Sequence, residues 1–488
     1  MSGPVSGSMS AESDRSRIVC ADVDGTVLAT DLLYETLIFA VKRDLTVLLL
    51  IPFWLLQGRA TLKRKLAERS AGLDVRLLPV NPAVLAYLES AATAGQKVVL
   101  ASASDRALVE RLASHLTFVS GVVASDGEVN CKGSTKAHLI EAAFPGSEYE
   151  YLGDSRADIA VWRRARRVVC VSRSSSFVAS VKQEFPSVLV LPPAAQGGLG
   201  VVVKALRVHQ WAKNILVFLP LILAHHLGDI DAWAKAVYAA VAMSLCASGV
   251  YVLNDLLDLE SDRAHLRKKK RVFASGEVGI LTGLMAIPIL FFSAFGVCSL
   301  VNPESSIILL MYLLLTTAYS YRLKAIALVD IVLLAILYSV RIIMGGVATG
   351  IVVSQWLICL SMFLFLSLAC VKRFSELLLL RSQGGQRTSG RGYSVDDSEQ
   401  IASFGAASGY ISALVMALYV SSREISVLYA HPMVVWLACP LLLYWISRIW
   451  LLARRGLIHD DPVIFALSDK VTYAVCFLGA LIFMGAKW

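Results

Sequence analysis

From Asn214 to the C-terminus the sequence is a succession of apolar stretches, and they decide what this chain can fold into. Nine of them fall near 214–226, 232–253, 277–299, 305–320, 325–349, 354–371, 402–421, 431–453 and 470–487. Most approach the ~20 residues with which a helix crosses a bilayer; the first, fourth and sixth are short. In lipid every backbone polar group must bond within the spanning structure, so helices are the expected form. The loops between them alternate in charge. Arg263, Arg267, Lys268, Lys269, Lys270 and Arg271 follow the second stretch, Arg322 and Lys324 the fourth, Lys372, Arg373, Arg381, Arg387 and Arg391 the sixth, and Arg448, Arg454 and Arg455 the eighth. The intervening loops hold Arg423 alone. This alternation predicts even-numbered loops in the cytoplasm, and with them the N-terminal part of a multi-pass inner (plasma) membrane protein. The net charge of +9 is explained by basic loops beside anionic lipid, so nucleic acid is not an expected partner. Nine cysteines without a CxxC pair read as small buried hydrophobes, not a disulfide or zinc framework.

Upstream the pattern changes. Ile18–Val23, Lys97–Ala101, Tyr149–Leu152, Arg167–Val171 and Ser187–Leu191 are short β-type runs separated by helix-length segments. Such alternation predicts a doubly wound parallel sheet with helices on both faces. The chain therefore divides into an N-terminal α/β domain over 17–190, a Pro- and Gly-rich linker over 191–203 and an all-α polytopic membrane domain over 204–488. Residues 1–16 are expected to be disordered. Met1–Arg17 is Ser-rich without an apolar core, unlike a cleaved signal peptide.

Four pieces in the α/β domain carry chemistry. An apolar strand ends in Asp22-Val-Asp24-Gly25-Thr26, placing two carboxylates at one strand end. A second strand ends at Ser102, Lys136 lies in a Gly-Ser-Thr-Lys segment before a helix, and a third strand runs into Gly153-Asp154-Ser155 with Asp158 beyond. Strand ends of a doubly wound sheet converge on one crevice. In this order the pieces resemble the haloacid dehalogenase-like (HAD) phosphatases. The resemblance implies Asp22 as the nucleophile that takes the phosphoryl group and Asp24 as the acid and then base. Ser102 and Lys136 would hold phosphoryl oxygens, with Lys132 a near neighbour of the lysine. Asp154 would bind Mg²⁺ together with Asp22, and Asp158 would stand behind the metal or beside it.

An insertion near 33–85 separates the first two pieces and is read as a helical cap. It contains the apolar run Leu45–Leu56, interrupted by Pro52 and followed by Arg59, Lys63, Arg64 and Lys65. About twelve residues are too few to span a bilayer. Two readings stand: the core of the cap, or an interfacial anchor with basic residues on lipid headgroups.

In the membrane domain the main signal is Asn254-Asp255-Leu-Leu-Asp258-Leu-Glu-Ser-Asp262. On one helix Asp255, Asp258 and Asp262 are i, i+3 and i+7 and share a face. Three carboxylates so placed repel one another unless a cation lies between them, and hard oxygen ligands suit Mg²⁺. The sequence resembles the UbiA superfamily of intramembrane prenyltransferases. It is most similar to the polyprenyl-phosphate phosphoribosyltransferases of the decaprenylphosphoryl-5-phosphoribose synthase type, through Arg207–Asn214, Tyr319–Lys324 with Asp330, and Arg341. The usual second DxxxD is missing, and His265-Leu266 and Arg271-Val272 stand where that subgroup commonly has His-Pro and Arg-Pro. The resemblance implies Asp255 and Asp258 as catalytic metal-bearing acids with Asp262 as a further metal ligand. Asn254, Lys213, Lys324, Asp330 and Arg341 would contact substrate, Arg because its planar fork grips oxygens in pairs. Trp211 reads equally as an interface anchor.

The function so implied is bifunctional. A Mg²⁺-dependent transfer moves 5-phosphoribosyl from phosphoribosyl diphosphate (PRPP) to a polyprenyl phosphate, releasing diphosphate. The HAD domain then removes the 5-phosphate to give polyprenylphosphoryl-ribose for cell-envelope synthesis. The alternative is prenyl transfer from a prenyl diphosphate to an aromatic acceptor such as 4-hydroxybenzoate, with a separate phosphatase. A channel or transporter with a regulatory HAD domain fits the clustered acids less well.

Overall fold

The computed structural model describes residues 18–194, 198–265, 268–386, 388, 391–458 and 461–487. The segment 1–16, part of the linker, Arg267 and Arg387 lie outside the described residues. By contacts the chain forms two compact units: Met1–Ala205 with Val252–Ala286, and Leu206–Tyr251 with Ile287–Trp488.

The N-terminal unit is built on a six-stranded sheet: β1 (Ile18–Ala21), β2 (Lys97–Asp105), β3 (Val119–Ser125), β4 (Tyr149–Gly153), β5 (Arg167–Val171) and β6 (Leu189–Leu191). Its order is β3-β2-β1-β4-β5-β6, and every pairing is parallel. Central β1 is apolar throughout and fully buried, as a strand covered on both faces must be. Ala21 pairs with Leu100 on one side and Leu152 on the other. The strand order reverses at β1, so the ends of β1, β2 and β4 open into one crevice. Two details depart from the sequence expectation. Strand β3 was not anticipated, and β2 runs on to Asp105, so Ser102 lies within the strand instead of at its end.

The insertion folds as helices α1 (Leu32–Arg43), α2 (Val47–Leu56) and α3 (Arg59–Arg69). They close around Ala40, Val41, Val47, Trp54 and Leu66. Helix α1 starts at Asp31, whose side chain accepts from Leu33 N at 2.8 Å, satisfying one of the orphan donors of a helix start. Helix α4 (Ser134–Ala143) carries Lys136.

Among the described residues, seven helices are long and apolar enough to cross a membrane. They are α5 (Ile230–Leu257), α7 (Ile280–Cys298), α9 (Val329–Thr349), α10 (Gln355–Ser382), α11 (Val395–Val420), α12 (Pro432–Arg454) and α13 (Lys470–Lys487). Helix α8 (Pro303–Tyr321) has 19 residues, and α6 (Leu259–Ala264) is a short turn after α5. The first apolar stretch is not a single spanning helix. It is a 3₁₀ run, Val208–Phe218, passing into Leu219–Leu223, with Pro220 in the first turn of the second piece, where a proline costs least. Helix α10 continues past its apolar part, so Lys372, Arg373 and Glu376, expected in a loop, lie on its last turns. Two cores hold the C-terminal unit. One gathers Val217, Met243, Cys246, Leu309 and Met344, the other Tyr338, Phe365, Phe374, Trp445 and Ile449.

Candidate functional site

In the sheet crevice Asp22 sits just past β1, 8% exposed. Its Oδ1 accepts from Val23 N at 2.9 Å and from Lys136 Nζ at 2.9 Å. Lys136 also donates to Tyr151 Oη at 2.8 Å, and Tyr151 in turn donates to Asp158 Oδ1 at 2.9 Å. Burial and the facing Asp158, Asp24 and Asp154 push the Asp22 carboxyl well above its ordinary range, against the pull of Lys136. The same causes, burial first and Asp158 next, raise Asp154 to about 7. Asp158 is occupied by its own loop, accepting from Asp154 N at 3.3 Å, Ser155 N at 3.1 Å and Ser155 Oγ at 2.9 Å. It thereby fixes the turn that presents Asp154.

Among the described residues, Asp22, Asp154 and Asp158 are the one group of three whose ligand oxygens lie within 4.8 Å of one another. Three hard oxygens held this close together fit a divalent cation such as Mg²⁺. Gly25 explains the close approach. Its φ is +79°, and a Cβ there would fall 2.3 Å from Asp154 Oδ2, so only glycine lets the first motif lie against the third.

Asp24 is held from three sides. Leu32 N donates to its Oδ1 at 2.7 Å, and Ser104 Oγ at 2.7 Å and Ser102 Oγ at 3.2 Å donate to its Oδ2. Ser102 therefore contacts the expected acid–base residue, and Ser104 joins it; sequence reasoning missed Ser104, although it lies two residues on along the same face of β2. A second omission is Lys63 on α3. Its Nζ donates to Ala103 O at 2.5 Å, and burial lowers its pKa against the pull of Asp24 and Asp31. The insertion thus delivers a cation to the crevice.

The acidic motif after α5 differs from a single helical face. Helix α5 ends at Leu257 and α6 begins at Leu259, with Asp258 between them in a non-helical conformation. Helical bonds still run through it, Asp258 N to Asn254 O at 2.9 Å and Asp262 N to Asp258 O at 2.8 Å, but the Asp258 side chain leaves the face that the other two share. Asp255 and Asp262 still converge, on Arg271: its Nη1 lies 3.2 Å from Asp255 Oδ1 and 2.6 Å from Asp262 Oδ2. Asp258 instead lies 3.9 Å from Lys42 Nζ. Asn254 Oδ1 is buried without a hydrogen-bond partner. Asp255 and Asp262 are thus closed on the guanidinium of Arg271, and among the described residues Asp255, Asp258 and Asp262 do not come together as a group of three ligands.

The C-terminal unit holds a cavity of about 290 Å³ lined by Arg207, Gln210, Lys213, Tyr251, Lys372, Ser375, Glu376, Leu379 and Asp461. Asp461 Oδ2 takes Lys213 Nζ at 2.7 Å and Lys372 Nζ at 2.9 Å, and Tyr338 Oη donates to Asp461 Oδ1 at 3.0 Å. Two lysines drawn to one carboxylate make an anion site with a resident counter-ion. Arg341 is buried at 5% exposure and does not reach out to the interface. Nε donates to Asn214 Oδ1 at 2.9 Å and Nη2 to Tyr312 Oη at 2.9 Å, both neutral oxygens. Asp330, expected to contact substrate, is fully buried and paired with Arg373 at 2.7 Å, with Tyr319 Oη donating to it at 2.7 Å. Lys324 lies in a 3₁₀ turn at the end of α8 and does not line the cavity. Trp211 is pinned through Nε1 to Ser248 Oγ at 2.9 Å. Sequence reasoning missed Asp461, whose signal was an Asp-Pro pair at a helix start.

Residues 19–163 match the haloacid dehalogenase-like hydrolase family and residues 215–468 the UbiA prenyltransferase family. The protein y4nM of Sinorhizobium fredii is 34% identical over 471 residues, covering 96% of this chain and 90% of its own. A decaprenyl-phosphate phosphoribosyltransferase of Mycobacterium tuberculosis is 34% identical over 187 residues, 38% of this chain and 62% of its own. The structure of a UbiA homologue from Archaeoglobus fulgidus bound to GPP and Mg²⁺ covers 58% of this chain and 97% of its own, at 15% identity and a TM-score of 0.44. The UbiA match takes in just over half of the residues, and the chain is therefore a multi-pass membrane enzyme that belongs to the UbiA prenyltransferase family and carries an N-terminal HAD hydrolase domain.

Proposed function

We propose that the C-terminal unit transfers 5-phosphoribosyl from PRPP to a polyprenyl phosphate and that the HAD domain then removes the 5-phosphate on the cytoplasmic face. A phosphate oxygen of the lipid attacks C1 of the ribose, the C1–O bond to diphosphate breaks, and diphosphate leaves with the electron pair. The observation that carries this reading is the cationic cavity of Arg207, Lys213 and Lys372 around Asp461. It offers several charged donors to a substrate rich in phosphate oxygens. The similarity to relatives called decaprenyl-phosphate phosphoribosyltransferase supports the same choice.

Asp255, Asp262 and Asn254 would hold Mg²⁺ for the transfer, and Asp22 and Asp154 for the hydrolysis. When bound, the ion supplies positive charge that neutralises phosphate oxygens. In the crevice Lys136 orients Asp22, whose free oxygen attacks phosphorus, and Asp24 gives the departing ribose oxygen its proton. Ser102 and Ser104 keep the Asp24 side chain aimed. Water then attacks phosphorus, passing its proton to Asp24, and phosphate is released.

The test incubates PRPP labelled in the ribose with polyprenyl phosphate and Mg²⁺. Wild type should yield the dephosphorylated lipid, and Asp22→Asn should accumulate the 5-phosphorylated one. Identical products from both sink the coupled reading. Prenylation of 4-hydroxybenzoate from geranyl diphosphate, with no ribosyl lipid formed, sinks the transfer assignment.

A further inference from the structure

Helix α2 has two apolar faces, and the fold uses only one. Val47 and Trp54 point into the cap core, with Leu50 and Ile51 partly buried against it. Leu45, Leu48, Leu49, Phe53 and Leu56, at i, i+3, i+4, i+8 and i+11, form the opposite face. They are 48%, 52%, 73%, 63% and 87% exposed. Pro52 lies on that face too. A soluble domain rarely leaves so contiguous an apolar strip in water, and such strips mark a partner or a membrane.

The surrounding charge selects the partner. From Lys42 to Arg69 the chain has seven Lys and Arg residues against Asp44 and Glu68; with Lys63 turned to the crevice, 6 − 2 = +4 remains around the helix. Arg43 and Arg59 flank the two ends of the helix and are exposed, as is Arg64 one turn further on. An apolar strip within a basic frame is the signature of an interfacial helix on anionic lipid. Ten residues span about 15 Å, half the hydrocarbon thickness, so the helix lies on the bilayer and does not cross it. The chain's own membrane helices ensure that a bilayer is always within tether reach.

We propose that α2 is a membrane-surface anchor of the phosphatase domain: its Leu45–Leu56 strip dips into the headgroup–acyl boundary of anionic lipid, and the flanking arginines contact the headgroups. The following helix, α3, sends Lys63 to the carbonyl of Ala103 on the motif-bearing strand β2. The anchor is therefore linked through α3 to the phosphatase crevice. The anchoring itself does not depend on which phosphate is cleaved.

The full chain is placed in nanodiscs of phosphatidylcholine with phosphatidylglycerol, with photoreactive p-benzoylphenylalanine at Leu49 or at Phe53. Arg163, exposed on the same domain, serves as the control position. Lipid adducts at 49 and 53 should exceed the control at least about fivefold, as insertion of this face below the headgroups requires. Lipid adducts no higher than at 163, or adducts to protein in their place, as a second copy seated on the strip would give, overturn the proposal. Each labelled chain must hydrolyse a soluble phosphomonoester at the wild-type rate, which certifies the fold before the adducts are counted.

Discussion

Glu35 on α1 and Arg263 on α6 form a bidentate pair within the N-terminal unit, Nη1 to Oε2 at 2.9 Å and Nη2 to Oε1 at 2.6 Å. Their side chains are 2% and 5% exposed, so no solvent screening discounts the interaction. Arg263 Nε also donates to Ala274 O at 3.0 Å, and Thr30 Oγ1 donates to Glu35 at 2.6 Å. Glu35→Leu would leave a guanidinium buried with one of its three partners. Breaking such a pair costs about 3–5 kcal/mol, while replacing both members with apolar side chains is close to neutral. The double variant Glu35→Leu/Arg263→Met should therefore recover most of the loss. About 1–2 kcal/mol would remain for the hydroxyl of Thr30 and the carbonyl of Ala274, both left without this partner. Because the chain has two units, global unfolding is an unsuitable measure. Amide hydrogen exchange over Leu32–Arg43 reads the local free energy. At about 1.4 kcal/mol per tenfold, protection should fall roughly 100-fold or more in Glu35→Leu and return to within about 10–30-fold of wild type in the double variant. If the two single losses simply add in the double variant, the pair contributes no coupling and the reasoning is wrong.

The proton on Asp154 gives a pH signature. With its pKa raised to about 7, the metal-free site holds a proton below neutrality that Mg²⁺ must displace. Mg²⁺ affinity of the phosphatase site should accordingly rise with pH through about 7. Calorimetry in buffers of different ionisation enthalpy should register proton release on Mg²⁺ binding at pH 6; a flat profile refutes the assignment. In the C-terminal unit, Lys213→Met and Lys372→Met would each remove one of the charged contacts proposed for the substrate, worth about 1.5–3 kcal/mol. Transfer kcat/KM should drop about 10–100-fold in each, with hydrolysis of a soluble phosphomonoester untouched; unchanged transfer kinetics would exclude the cavity as the substrate site.

What could be read from the sequence follows from the range of the interactions concerned. The doubly wound sheet was legible because its strands are apolar runs ending in short chemical motifs, and the membrane helices because length and charge alternation are local properties. The carboxylate group of Asp22, Asp154 and Asp158 was largely legible, since the neighbouring strand ends of β1 and β4 must converge. Asp461 was not, since its pairing with Lys213 spans 248 positions of the chain and the local Asp-Pro pair announces a helix start but not its lysine partners. The break at Asp258 was also hidden. Helical periodicity assumes regular backbone throughout, and Asp258, at φ −97° and ψ 9°, departs from it. Arg341 illustrates the same limit: an arginine in an apolar run has two outcomes, and the presence of Asn214 and Tyr312 opposite it decides between them.

The stretch Val252–Ala286 belongs to the N-terminal unit although the linker lies far upstream of it. Ile38, Phe39, Leu73 and Leu77 line one crevice together with Leu256, Leu257 and Leu259. A gene truncated after residue 205 would therefore not encode a self-sufficient soluble phosphatase. It would encode one with a raw oily flank and an unanswered Glu35, prone to clump on expression. A boundary that keeps the hydrolase whole must therefore carry the Asp255–Asp262 segment with it.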